Sequence, residues 1–250
     1  MVVGKMKTLS LILPPALIVF VSCLEPVPNF IGRCDINLPS FNQCLSDAIE
    51  RAIIQMKEPI PDYDLPVIDP FKPGHTAAYG NSKTGLRQTY SNAEIFGFTN
   101  INSTNATFSP ASEILAINVT FNDIVATFDY RLRGRFVTIP VDVLSRNSSV
   151  HLVEPTFQLI FYLQEVRRNG TVYFRAVNST LKMVPKEAIF NYTGIFDNQF
   201  ENDALNARVN QNGNEAVDYL QGLFPNYFTV DFLKWFNNVL EEVPAKSFFV

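Results

Sequence analysis

Side chains able to do chemistry are few in this chain, and their spacing does not suit catalysis. The two histidines, His75 and His151, fall in segments that read as loops or strand edges. Neither stands at metal-ligand spacing from another histidine or cysteine, so no metal centre and no other cofactor is expected. No G-x-S-x-G turn presents a serine nucleophile. Gly80 and Gly85 have the separation of a phosphate-binding loop, but Leu86 occupies the position where that loop needs lysine. The acid pairs Asp62/Asp64 and Glu241/Glu242 read as solvated surface groups, and Arg131, Arg133 and Arg135 as the wet face of a strand rather than an anion site. The chain therefore does not read as an enzyme; a hydrolase whose site assembles only in three dimensions remains an alternative.

The cysteines carry a different message. All three lie between residues 23 and 44, at Cys23, Cys34 and Cys44. Upstream of Cys23 stand Lys5, Lys7 and an apolar run from Leu9 to Val21, and Val21 and Cys23 suit a signal-peptidase site. The run falls short of the roughly 20 residues of a spanning helix and holds Pro14 and Pro15. Residues 1–23 are thus expected to be a secretory signal peptide, without a stable membrane anchor; an uncleaved anchor is the alternative. Cleavage discards Cys23 and leaves an even pair for an oxidising compartment, so Cys34 is expected to bond to Cys44. The competing possibility is two buried free thiols.

Removing two lysines and no acid takes the formal charge from -4 to -6. With no basic run longer than a pair, nucleic acid is an unsuitable partner. The 22 phenylalanines are the stronger compositional signal. Most must be core, yet such a surplus also suits an apolar cavity.

The elements that must position these groups follow from periodicity. Ser40 and Gln43 form a capping-box pattern ahead of Phe41, Cys44, Leu45, Ala48, Ala52, Ile53 and Met56, which predicts an amphipathic helix. Five prolines between Glu58 and His75 deny helix, and Leu65, Val67, Ile68 and Phe71 require that this connector pack along the body. Alternation then predicts strands around Ile117, Val119 and Phe121, and around Phe128, Tyr130, Leu132 and Phe136. Asn169 and Gly170 between two apolar runs predict a type I′ hairpin, and together these segments predict a long antiparallel meander. From Ala204 the spacing turns helical, predicting one long, mostly buried helix bent or broken near Pro225.

Seven asparagines open N-x-S/T sequons: Asn102, Asn105, Asn118, Asn147, Asn169, Asn178 and Asn191. Surface glycosylation is expected, although Asn102 and Asn105 are too close for both to be used efficiently.

The order of these features resembles the insect juvenile-hormone-binding and takeout family. The matching parts are the signal peptide, Cys34 and Cys44 flanking the first helix, "LPVIDP", "YRLRGRFVTIPVDV" with its central glycine, and "IFDNQFENDALNARVNQN" leading into the C-terminal helix. Asp142 and Leu144 stand where glycines would be expected. The resemblance implies an α+β fold over residues 24–250 as a single domain, a long C-terminal helix wrapped by a strongly curved antiparallel sheet, with an apolar tunnel between them. It also implies a secreted carrier that reversibly binds a terpenoid, fatty acid or similar lipid in an extracellular fluid such as haemolymph. A secreted glycoprotein acting through a receptor is the alternative.

In that arrangement one strand face presents Phe128, Tyr130, Leu132 and Phe136, and the next hairpin presents Phe157, Leu159, Phe161 and Leu163. Phe228, Phe232, Trp235 and Phe236 recur at helical intervals opposite them. These twelve residues are the expected ligand-facing set.

Overall fold

Helix α1 (Phe41–Gln55) forms where the amphipathic spacing places it, burying Phe41, Ser46 and Ala48. The capping box does not form: Ser40 makes no side-chain cap, and Gln43 instead donates to Asp47 Oδ1 one turn on, at 2.8 Å. The computed structural model describes residues 32–249, apart from 75–76, 82–84, 137–138 and 222–223. The expected signal peptide, Cys23 and His75 lie outside the described residues. Cys34 and Cys44 are joined in a disulfide with their Cα atoms 5.7 Å apart, tying the approach of the chain to the first turn of α1. The Cys34 N–H also donates to the Phe248 carbonyl at 3.0 Å, so both ends of the described chain meet there.

Among the described residues the alternating segments form nine strands: β1 (Ala77–Asn81), β2 (Leu86–Phe96), β3 (Ile101–Ser109), β4 (Ile114–Phe121), β5 (Asp123–Phe136), β6 (Ile139–Val153), β7 (Thr156–Arg168), β8 (Thr171–Val184) and β9 (Glu187–Asn191). Their phase is as the sequence implies, since Ile117, Val119 and Phe121 are buried while Asn118 is exposed. At the β7–β8 turn Asn169 and Gly170 both take positive φ, 50° and 80°, as a type I′ turn requires. Asp142 is accommodated on the wet face of β6, accepting from Nε and Nη2 of Arg131 at 2.8 Å each.

The strands do not run as one meander. They divide into a five-stranded sheet, β1-β2-β5-β6-β9, and a four-stranded sheet, β3-β4-β7-β8, all pairs antiparallel. The chain changes sheet at each of four short links, and those links are laced together. Asn122 N–H donates to Asn100 O, Glu154 N–H to Asn122 O and Lys186 N–H to Val153 O, each at 3.0 Å. Alternation along a strand specifies its faces but not its neighbours, which is why the two-sheet arrangement is not visible in periodicity.

The C-terminal region is broken near Pro225, between Leu220 and Phe224, but it is divided further than one long helix bent or broken there. It is built of α2 (Gln199–Asn210), α3 (Gly213–Leu220), α4 (Phe224–Leu240) and the short α5 (Ala245–Phe248). An additional break falls between Asn210 and Gly213, where α3 comes so close to β9 that a Cβ on Gly213 would lie 2.0 Å from the Ala188 carbonyl oxygen. Pro225 falls in the first turn of α4, a position where a missing N–H is tolerated.

Amide side chains fasten these helices to the outer strand of each sheet. Asn210 accepts from the Phe190 N–H at 2.7 Å and donates to the Phe190 carbonyl at 2.9 Å, and Asn206 does the same to Tyr192 at 2.8 and 2.9 Å. On β8, Asn237 accepts from Ala176 at 2.7 Å and returns a bond at 2.9 Å, and Gln221 pairs with Met183 likewise. Each amide stands in for the next strand, satisfying edge groups that would otherwise be buried without partners. Asn237→Ala is expected to lower unfolding free energy by about 2–4 kcal/mol, since two orphaned backbone groups outweigh the lost bonds themselves. A urea midpoint unchanged from the parent protein would contradict this.

Candidate apolar ligand site

Among the described residues, the inward faces of the two sheets and the helices line two part-open cavities. The larger, of about 280 Å³, lies between the four-stranded sheet, α1, α4 and the C-terminal residues Phe248 and Phe249. The smaller, of about 70 Å³, lies under the five-stranded sheet against α3 and α4. The larger approaches the lower end of the usual size for small-molecule sites.

Phe98 and Phe157 border both cavities and so separate them. Their rings meet edge-to-face with centroids 5.8 Å apart, and Phe121 packs edge-to-face on both, at 5.6 and 5.3 Å. Phe71 stands 6.1 Å from Phe98 and 5.2 Å from Trp235. The connector places these rings through Asp69, whose Oδ1 accepts from the Gly97 N–H at 3.0 Å and whose Oδ2 accepts from the Thr99 hydroxyl at 2.7 Å and its N–H at 3.2 Å. Phe71 then exchanges backbone bonds with Ile95 at 2.7 and 2.9 Å.

Burial alone would push the Asp69 carboxyl up. The Thr99 hydroxyl, the Gly97 and Thr99 N–H groups and the Lys57 charge outweigh it and hold the pKa below the ordinary value. Because the folded value is the lower one, the stabilisation from this carboxylate is present above the ordinary pKa and lost as pH falls through the folded value. At the smaller cavity, whose lining includes Tyr90, the side chains of Tyr90, Tyr130 and Tyr192 cluster, with Tyr90 5.3 Å from Tyr130 and Tyr130 5.1 Å from Tyr192. Burial first, then the neighbouring phenols, raises the Tyr90 pKa far above its ordinary value, and burial pushes Tyr192 up to about 12. This end of the interior stays uncharged at neutral pH.

Of the twelve residues expected to face a ligand, Phe157, Leu159, Phe161, Leu163, Phe232, Trp235 and Phe236 line the larger cavity. Phe128, Phe157 and Phe228 line the smaller. Tyr130 packs into the tyrosine cluster, Leu132 is half-buried and borders neither space, and the Phe136 side chain lies outside the described ones. Sequence reasoning did not assign the contribution of α1, made through Leu45, Ala48, Ile49, Ala52, Ile53 and Met56. The helical spacing identified that face as apolar; what it faced was not readable. The partition ring Phe98 lies in the turn between β2 and β3, where no periodicity marks it.

Among the described residues, the histidine and acidic groups stay outside this interior. His151 Nε2 lies 2.6 Å from Asp123 Oδ1 at the surface. Glu241 is half-buried rather than freely solvated, 3.4 Å from Arg168 and 3.3 Å from Arg175. Among the described residues no group of three or more histidine, cysteine or acidic side chains could hold a metal ion, and no helix is long and apolar enough to cross a membrane. All seven sequon asparagines are exposed, and Asn105 lies directly opposite Asn118 in the β3–β4 register.

The family model for haemolymph juvenile hormone binding protein matches residues 16–250. Among solved structures, takeout 1 of Epiphyas postvittana is similar with a TM-score of 0.75 and 17% identity, over 88% of this chain and 99% of that one. A lipopolysaccharide binding protein matches with a TM-score of 0.34 and 10% identity, over 76% of this chain and 39% of that one. No protein of curated function matches.

Proposed function

Because the chain belongs to the haemolymph juvenile hormone binding protein family, we propose that it binds a small apolar ligand reversibly in the larger cavity and carries it in an extracellular fluid. The observation that carries this reading is the cavity itself, an apolar space of about 280 Å³ in an interior otherwise packed with aromatic rings. Each methylene moved from water into such a space contributes about 0.8 kcal/mol. A terpenoid-sized hydrocarbon thus gains on the order of 12 kcal/mol gross. After association costs of about 4 kcal/mol or more, micromolar to nanomolar affinity is left.

The mature protein begins near Leu24 in this reading, residues 24–250 act as a single domain, and exposed sequons carry glycans. The cross-strand position of Asn105 and Asn118 leaves room for a glycan at one of the two on any one molecule. Neither nucleic acid nor catalysis has a part in it.

Mass spectrometry of an organic extract of the purified protein tests the proposal directly. The expected result is an unmodified small lipid in stoichiometric amount, displaced by a fluorescent apolar probe that binds once per chain. Failure of the probe to bind would reject the carrier, and chemical turnover of the lipid would favour an enzyme.

A further inference from the structure

The outer face of the four-stranded sheet, turned away from the interior, lacks the charge that a solvated face ordinarily carries. Its centre is apolar: Ala116 lies opposite Ile160 and, one row on, Ile114 lies opposite Tyr162. Tyr162 and Val177, the residue that the β7–β8 register shift leaves over, are 37% and 53% exposed. Rows run across this face from Ser109, Thr107 and Asn105 on β3 to Asn178, Thr180 and Lys182 on β8, and Lys182 is the only charge in them. The five-stranded sheet differs, since its outer face carries Arg131 bonded to Asp142 with Arg133 beside them. An exposed apolar patch of this kind marks an interaction surface or a liability to self-association.

The chain sets a cover beside it. Asn178 opens a sequon that ends at Thr180, and a period of two puts both residues on this face. Asn178 pairs directly with Tyr162, which brings their Cβ atoms to about 4.5–5.5 Å. Its Oδ1 accepts from the Ser179 N–H at 2.8 Å, and Nδ2, the atom that bears a sugar, makes no bond among the described residues. We propose that Asn178 carries an N-linked glycan whose first sugar lies on the Tyr162 ring, and that this glycan keeps the apolar sheet face from pairing with a second copy of the chain. The link forms when Nδ2 bonds to the anomeric carbon of an oligosaccharide held on a lipid diphosphate. The bond from that carbon to the phosphate oxygen breaks, the lipid diphosphate leaves, and Nδ2 gives up a proton. The C–H face of a sugar ring is apolar and settles on an aromatic face while its hydroxyls stay in water. This rests on export of the chain and use of its sequons, not on the ligand or its cavity.

Glycopeptide mass spectrometry of the full chain secreted from insect cells reads the occupancy of each sequon, and sedimentation velocity over a concentration series reads self-association. The parent is expected to be monomeric with Asn178 occupied. Asn178→Gln, and Thr180→Ala, which keeps Asn178 but ends the sequon, are each expected to lower the concentration of half-dimerisation at least about tenfold. Thr180→Ser keeps the sequon and is expected to stay monomeric, and Tyr162→Ser added to Asn178→Gln is expected to restore the monomer. Asn178 left bare while other sequons carry glycan, or sequon variants as monomeric as the parent, would overturn the proposal. A secreted chain bare at every sequon would overturn the expectation of surface glycans as well, and leave the carrier reading standing.

Discussion

Replacement of Phe157 by alanine is expected to lower unfolding free energy by roughly 3–5 kcal/mol and to join the two cavities. Phe157 is 2% exposed and sits at the start of β7, paired with Val119 on β4 and Met183 on β8. Its ring closes edge-to-face contacts with both Phe98 and Phe121, each such pair adding about 0.5–1.5 kcal/mol beyond burial. The backbone at this point is held by ladder bonds on both sides, so the surroundings cannot collapse into the vacated space. Urea unfolding measures the loss, with the slope expected to stay constant. A loss under about 1 kcal/mol would mean that the rings around Phe157 repack freely and that the separation of the cavities is not a rigid feature.

Leu159→Trp is expected to have the opposite profile, with binding abolished and stability held. Leu159 is half-buried on the inner face of β7 and borders the larger cavity, so the added indole volume is directed into space that a ligand would take. Affinity for an apolar fluorescent probe is expected to fall at least about 100-fold, equivalent to about 3 kcal/mol. Stability is expected to change by less than about 1 kcal/mol, because filling a void offsets the strain of a larger ring. The adjacent residue supplies the control, since side chains alternate along a strand: Ile160→Trp enlarges the outer face and is expected to leave affinity unchanged. Equal loss of binding in both variants would point to general damage to β7, and retained binding in Leu159→Trp would move the ligand elsewhere.

Much of this architecture was legible because it depends on neighbours close in the chain. The face of β7 that carries Phe157, Phe161 and Leu163 inward follows from a period of two, and the apolar stripe of α1 from a period near 3.6. Asn169-Gly170 specified its own turn because the required positive φ values are local demands on two residues. The Cys34–Cys44 disulfide was readable from the even count that the expected export signal would leave, and the wet faces of β4 and β5 from the asparagine and arginines they carry.

Tertiary structure alone decided the rest, because it depends on which distant surfaces meet. Alternation could not say that β4 and β5, separated by the single residue Asn122, belong to different sheets. The break before Gly213 falls where α3 closes on Ala188, and the Asn210 and Asn237 side chains find their purpose only where an open strand edge lies beside them. The division of the interior has the same origin. Phe98, Phe157 and Phe71 come from a turn, a strand and a proline-rich connector, and the Asp69 bonds to Gly97 and Thr99, with the backbone pair between Phe71 and Ile95, bring the first and last of these together. Composition and periodicity determined that this chain would bury an aromatic interior; whether that interior closed into solid core or stayed open depended on how well surfaces far apart in sequence fill the space between them.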